Sequence, residues 1–209
     1  MTESSVRVGD ETYRMVHPAA ADALIDEEDF DRNERLPYWA ELWPSAIALA
    51  RRVALLDLTG QRVVELGCGL GLPSIAALSR GASVLSTDHY REALDFAAYN
   101  TQANLDADFG RKLETLQLDW RTPTRDLPRF DLVLAADVLY DGMNVIALAD
   151  LVPKLLERNG KLLLADPRRD YAGRFLEAME QRGFEQSVEN ATVEHDGRTV
   201  EIMLYWLQR

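Results

Sequence analysis

The stretch Val63–Ser74, VVELGCGLGLPS, decides how this chain is read. It opens inside RVVEL, an apolar β-branched run that predicts a buried strand. Three glycines at alternate positions follow, and then LPSIAALSRG, an apolar helix that Gly81 closes. SVLSTD is the next strand, and it ends on Asp88. Strand, glycine turn, helix, strand and terminal carboxylate is the geometry that a nucleotide-like ligand needs. Gly67, Gly69 and Gly71 allow a tight bend and let the backbone approach a ligand where a Cβ would block it. Asp88 sits where an acid that grips a ribose diol is expected.

Downstream, apolar strand-like runs keep alternating with amphipathic helical stretches, the pattern of a parallel α/β sheet. YREALDFAAYNTQAN places Ala93, Leu94, Ala97 and Ala98 at helical spacing. KLETLQLDW predicts a third strand. FDLVLAADVLY predicts a fourth, apolar on both faces in its middle and therefore central. NVIALADLVPKLLERNG predicts a helix with a late Pro153 and a glycine stop at Gly160, KLLLAD a fifth strand, and YAGRFLEAMEQRG a helix stopped by Gly183. FEQSVENATVEH and TVEIMLYWLQR flank DGR and predict a hairpin through Asp196–Gly197.

Residues 1–60 read as an N-terminal extension to a ligand-binding unit at 61–209. VRVGDETYRMV predicts a small hairpin around Gly9–Asp10, and SAIALARRVALLD an amphipathic helix packed on the sheet. Between them ALIDEEDFDRNERLPYWAELWPSA is acidic and then aromatic. Tyr38, Trp39 and Trp43, flanked by Pro37 and Pro44, fit either a plug between helix and sheet or a lid over the pocket.

The chain has 209 residues, enough for one domain, and a formal net charge of −12. That balance argues against nucleic-acid binding, since phosphate contacts need a basic surface. It suits a cationic cofactor or a lysine-bearing partner, or simply solubility. No apolar run is long enough to span a membrane, and MTESSVRVGDETYR lacks a secretory profile. A single cysteine, Cys68, fits a reducing cytoplasm and reads as a small residue in a crowded turn. The oligomeric state is left open.

The glycines are spaced G-x-G-x-G, with Glu65 two residues before the first. This departs from the dinucleotide G-x-G-x-x-G and points toward S-adenosylmethionine (SAM). VVELGCGLG, Asp88, LDW at Leu118–Trp120 and DVLY at Asp137–Tyr140 together resemble a class I SAM-dependent methyltransferase. PYWAELWP with the D-x-x-Y sequence is similar to the small protein-lysine methyltransferases, most of all the electron-transfer-flavoprotein β-subunit lysine methyltransferase branch. Ser45–Ala46 depart from that branch, where a glycine pair is expected. The resemblance implies a Rossmann-like, seven-stranded mixed sheet, mostly parallel with an antiparallel C-terminal hairpin strand and helices on both faces.

The resemblance also implies roles for single residues. Asp88 takes the ribose diol, or caps the helix after it, and the two are compatible. Asp119 and Trp120 would contact the adenine, by accepting from its amine and by stacking, although Trp120 also suits a core. Glu65 would pair with the SAM ammonium, with the Gly67–Gly71 amides, Cys68 included, serving the SAM carboxylate. His89 reads as an exposed residue at a helix start. Asp137 would touch the cofactor beside its methyl group and face the acceptor, or serve as a structural cap; Tyr140 would wall the acceptor, or belong to the core; Trp43 would complete an aromatic cage and touch the cofactor. The expected reaction moves a methyl group to a protein lysine and leaves S-adenosylhomocysteine. A small-amine methyltransferase, an NAD-dependent oxidoreductase and a silent SAM-binding module are the alternatives.

Overall fold

The computed structural model describes residues 1–19, 37–123 and 126–209; the acidic half of the 23–46 segment lies outside them. Strands β1 (Thr2–Val8) and β2 (Glu11–His17) form an antiparallel hairpin, as predicted. A 3-10 turn at Tyr38–Ala40 leads into α1 (Pro44–Val53). Next come β3 (Arg62–Leu66), α2 (Leu72–Ser79), β4 (Ser83–Asp88), α3 (Arg91–Asn104), a short α4 (Ala107–Gly110) and β5 (Leu113–Gln117). They are followed by β6 (Phe130–Ala136), α5 (Gly142–Leu155), β7 (Leu156–Asp166), α6 (Ala172–Glu180), β8 (Glu185–His195) and β9 (Arg198–Gln208).

The large sheet has the order β5-β4-β3-β6-β7-β9-β8. Its first five strands run parallel, and β9 lies antiparallel between β7 and β8. The chain works outward from β3 to β5 and then returns to the other side of β3 as β6. That reversal opens a crevice above the carboxyl ends of β3, β4 and β6. Alternate residues of the central strands face opposite layers. Val63, Leu132 and Leu134 pack with α1 and α2, while Val64, Val133 and Ala135 pack with α5 and α6. The two-sided burial predicted for β6 is therefore present.

Several boundaries differ from the sequence reading. β5 ends at Gln117, so Leu118–Trp120 form a loop, and β6 ends at Ala136, so Asp137–Tyr140 leave the sheet. Asp137 has φ 58, a left-handed conformation that no strand accommodates. Gly160 does not stop α5. That helix ends at Leu155, and LERNG already belongs to β7. A Cβ on Gly160 would lie 2.8 Å from the Phe130 carbonyl oxygen, so the glycine permits close strand approach at a register shift.

The N-terminal hairpin shares the core. Val8, Tyr13 and Met15 are buried in the same cluster as α1 and α2. Asn100 of α3 fixes β2: its Oδ1 accepts from Val16 N–H at 2.8 Å, and its Nδ2 donates to the carbonyls of Val16 and Leu70, each at 3.1 Å. Asn100→Ala strips partners from three backbone groups at a fully buried position. The expected cost is about 3 kcal/mol, read as a lower urea midpoint at unchanged slope.

Candidate functional site

A cavity of about 640 Å³ occupies the crevice above β3, β4 and β6. All the residues singled out from the sequence line it: Trp43, Glu65, Gly67, Cys68, Gly69, Gly71, Asp88, Asp119, Trp120, Asp137 and Tyr140. They come from five separate segments: the reversal of strand order gathers four of them, and the segment before α1 adds Trp43.

The turn after β3 forms the cavity floor. Gly67 N–H and Cys68 N–H both donate to the Thr87 carbonyl at 2.9 Å, Gly69 N–H donates to Asp88 Oδ2 at 2.9 Å, and Gly71 N–H donates to the Cys68 carbonyl at 2.8 Å. These four amides are spent inside the protein, contrary to the expectation that they serve a ligand carboxylate. The glycines answer to protein neighbours as well. A Cβ on Gly71 (φ 83) would lie 2.8 Å from Ala97 Cβ, and one on Gly67 would lie 3.0 Å from the Trp120 ring. Cys68 is buried against Leu94 and Ala97, and burial pushes its thiol well above the usual range. It is the small packing residue that the sequence indicated.

Two buried acids stand at the strand ends. Asp88 Oδ1 accepts from Tyr90 N–H at 3.0 Å, as its Oδ2 does from Gly69 N–H at 2.9 Å, and the His89 amide also supports the carboxylate, so part of its acceptor capacity stays open to a further donor. Burial raises Asp88 to about 6. Glu65 has no cation partner within the loop. It accepts a short hydrogen bond from Ser74, which contacts Ser86 at 2.6 Å, and burial pushes Glu65 up to about 8. The two serines were not singled out from the sequence, although both face the same layer as Glu65.

Above β5, Asp119 Oδ1 accepts from Arg121 N–H at 2.9 Å, and His89 Nδ1 lies 3.9 Å from Asp119 Oδ2. His89 precedes α3, as read, but it is half-buried and lines the cavity. Trp120 packs on the core, and its buried indole N–H has no partner among the described residues. Arg121 ties this loop to the next, reaching Asp141 Oδ2 at 2.6 Å and Asn144 Oδ1 at 3.0 Å. Asp141 caps α5 by accepting from Met143 and Asn144. Asp before Gly-Met-Asn was a legible cap signal.

The aromatic segment divides between the two roles that the sequence left open. Trp39 is 9% exposed and packs on Tyr90 and Phe96 as a plug. Tyr38 and Tyr140, 43% and 41% exposed, meet at 5.5 Å, and Trp43 sits edge-on to Tyr38 at 6.1 Å. Trp43 and Tyr140 therefore meet through Tyr38. Beside them the Asp137 side chain is buried; it accepts from Arg169 Nε in a short ion pair and from Ser45 Oγ at 3.4 Å. A further cavity of about 480 Å³ opens past this point, with Asp137, Tyr140 and Trp43 in the shared wall.

Residues 37–182 match the model of a family described as lysine methyltransferase. Protein N-lysine methyltransferase METTL21A of Danio rerio is 32% identical over 160 residues, 74% of this chain and 73% of that protein. Electron transfer flavoprotein beta subunit lysine methyltransferase of Xenopus laevis is 34% identical over 142 residues, 64% of this chain and 53% of that protein. The chain spans from about half to about three quarters of the length of the curated relatives it matches. Among solved structures, precorrin-6y C5,15-methyltransferase of Geobacter metallireducens superposes with a TM-score of 0.61 at 18% identity, over 79% of this chain and 87% of that one, which bears on the fold alone.

The buried acids set a pH dependence. Glu65 rises from 4.5 to about 8 on folding, so between those values the folded chain holds a proton that the unfolded chain releases. Stability therefore falls as pH rises through that window, and Asp88 adds the same sign up to about 6. In Glu65→Gln the fall between pH 6 and 8 is expected to flatten. Urea midpoints across that range check it, and a slope equal to wild type contradicts it.

Proposed function

Because this chain belongs to the lysine methyltransferase family and is a SAM-dependent methyltransferase, we propose that it methylates the side-chain amine of a lysine on a protein. The observation that carries this reading is the meeting of a buried carboxylate, Asp137, with three aromatic rings at the cavity mouth. A long cationic side chain that ends in an amine suits such an opening. Exposed Tyr38 and Tyr140 leave it open to a macromolecule.

The residues present fit the cofactor. Asp88 retains acceptor capacity that the ribose hydroxyls would use. Glu65, at the cavity floor and held by the hydroxyl and amide of Ser74, would meet an ammonium, whose approach would favour its ionised form. Asp119 and Trp120 would hold the adenine by acceptance and by a flat apolar face. The turn amides contribute shape, since four of them are already bonded.

When bound, SAM supplies an electrophilic methyl group on a sulfonium. Asp137 orients the incoming amine, and the fixed geometry of Asp137 concentrates the reacting pair. Tyr38, Trp43 and Tyr140 exclude water and present ring faces to the methylammonium product. Desolvation of its hydroxyl holds Tyr140 above its usual range although 41% of the residue is exposed, and the group stays protonated. The single buried cysteine suits the cytoplasm as the place of work.

Incubation with methyl-labelled SAM and a cell extract, followed by hydrolysis, is expected to yield methyl-lysine in a discrete protein. Label in methylhistidine, methylarginine or a small amine would overturn the acceptor assignment. Asp88→Ala is expected to weaken SAM binding roughly 10- to 100-fold by calorimetry. Asp137→Asn is expected to keep SAM affinity and lose most turnover.

A further inference from the structure

Asp137 is held more tightly than a residue that merely points at a substrate. Its backbone is left-handed at φ 58, and its N–H is anchored to the Ala165 carbonyl at 2.9 Å. Its two oxygens are divided between Arg169 Nε and Ser45 Oγ. Arg169 is itself fixed: its backbone N–H donates to Asp166 Oδ1 at 2.7 Å, in the loop where β7 ends. The guanidinium is one-third exposed and the Asp137 side chain 7% exposed, so the pair sits at the boundary between the two cavities with the carboxylate inside.

This arrangement bears on a problem that the reaction poses. An unperturbed lysine has a pKa near 10.4, and only its free amine carries the lone pair that attacks. A lone buried carboxylate would stabilise the ammonium and slow the reaction. We propose that Arg169 is a positioning residue that cancels the charge of Asp137, so that the acceptor amine meets a neutral carboxylate–guanidinium pair and reacts as the free base. The inference rests on the reading that Asp137 faces the acceptor. The proton leaves to solvent at the open mouth. The nitrogen lone pair then forms the N–C bond while the methyl–sulfur bond breaks with its electrons staying on sulfur.

The other charges near Asp137 are acids like it or are committed elsewhere. Tyr140 and Asp141 come from its own loop, and Asp141 holds Arg121. Asp166, the last residue of β7, lies near both Asp137 and Arg169, while Asp170, Tyr171 and Arg168 come from the loop after it, where Arg168 pairs with Glu201 at 3.3 Å. His195 at the end of β8 lies 3.5 Å from Asp196. Arg169 is thus the cation in contact with Asp137 among the described residues.

The test uses the full chain, saturating SAM and the acceptor protein labelled in the extract assay, with kcat followed from pH 6 to 10. In Arg169→Met the acid limb is expected to move up by about one pH unit, which lowers kcat about tenfold at neutral pH. Acceptor KM is expected to hold or fall, because a lone Asp137 favours the ammonium, and SAM affinity to stay unchanged. Arg169→Lys should return the limb toward wild type. The double variant Arg169→Met with Asp137→Asn removes both charges and should also restore the limb's position, though not the rate. This arm stands even if the single variant folds poorly. A limb that stays put in a folded Arg169→Met protein that binds SAM overturns the proposal, as does a double variant whose limb remains displaced. Absence of methyl-lysine with wild-type enzyme instead overturns the acceptor reading beneath it.

Discussion

The site depends on the way the end of β4 ties down the turn after β3. The Thr87 carbonyl takes the amides of Gly67 and Cys68, and the Asp88 carboxylate takes those of Gly69 and Tyr90. One strand end thereby fixes the floor of the cavity and the start of the next helix. The same bonds aim Asp88 across the cavity with acceptor capacity to spare. Without them the three left-handed glycines would leave the turn loose.

Ionisable groups are buried here at a stability cost. Glu65 and Asp88 are both pushed up by desolvation, Glu65 to about 8 and Asp88 to about 6. Asp166, also raised to about 6, keeps one oxygen without a partner among the described residues. Such burial is easier to understand as preparation for charge than as support for the fold. An incoming ammonium would stabilise the ionised floor. At the mouth, the Arg169–Asp137 pair already balances its own charge.

Most of the architecture was legible because it rests on local pattern. The β-branched runs, the glycine turn and the Asp196–Gly197 hairpin each specify their own conformation. The helix stop at Gly160 was misplaced because a glycine after an apolar run looks alike whether it ends a helix or admits a neighbouring strand. The site residues were legible for a related reason: strand ends at a topological switch collect a ligand. Their partners were not. Ser74 on α2 and Ser86 on β4 lie within the recognised motifs, Arg121 directly follows one, and Arg169 comes from the loop after β7, yet only folding shows which acid each one meets. Tyr38 belonged to a recognised cluster, yet its place between Trp43 and Tyr140 follows from the turn at Tyr38–Ala40.

The cavity built on Asp88 and Glu65 is proposed to hold SAM, with Glu65 ionising against its ammonium. Calorimetric titration with SAM near pH 7, in buffers of different ionisation heat, tests it most directly. Release of roughly one proton on binding is expected, and its loss in Glu65→Gln. Binding without proton release would contradict the role of Glu65, and binding of NAD in place of SAM would contradict the cavity's assignment to a methyl donor.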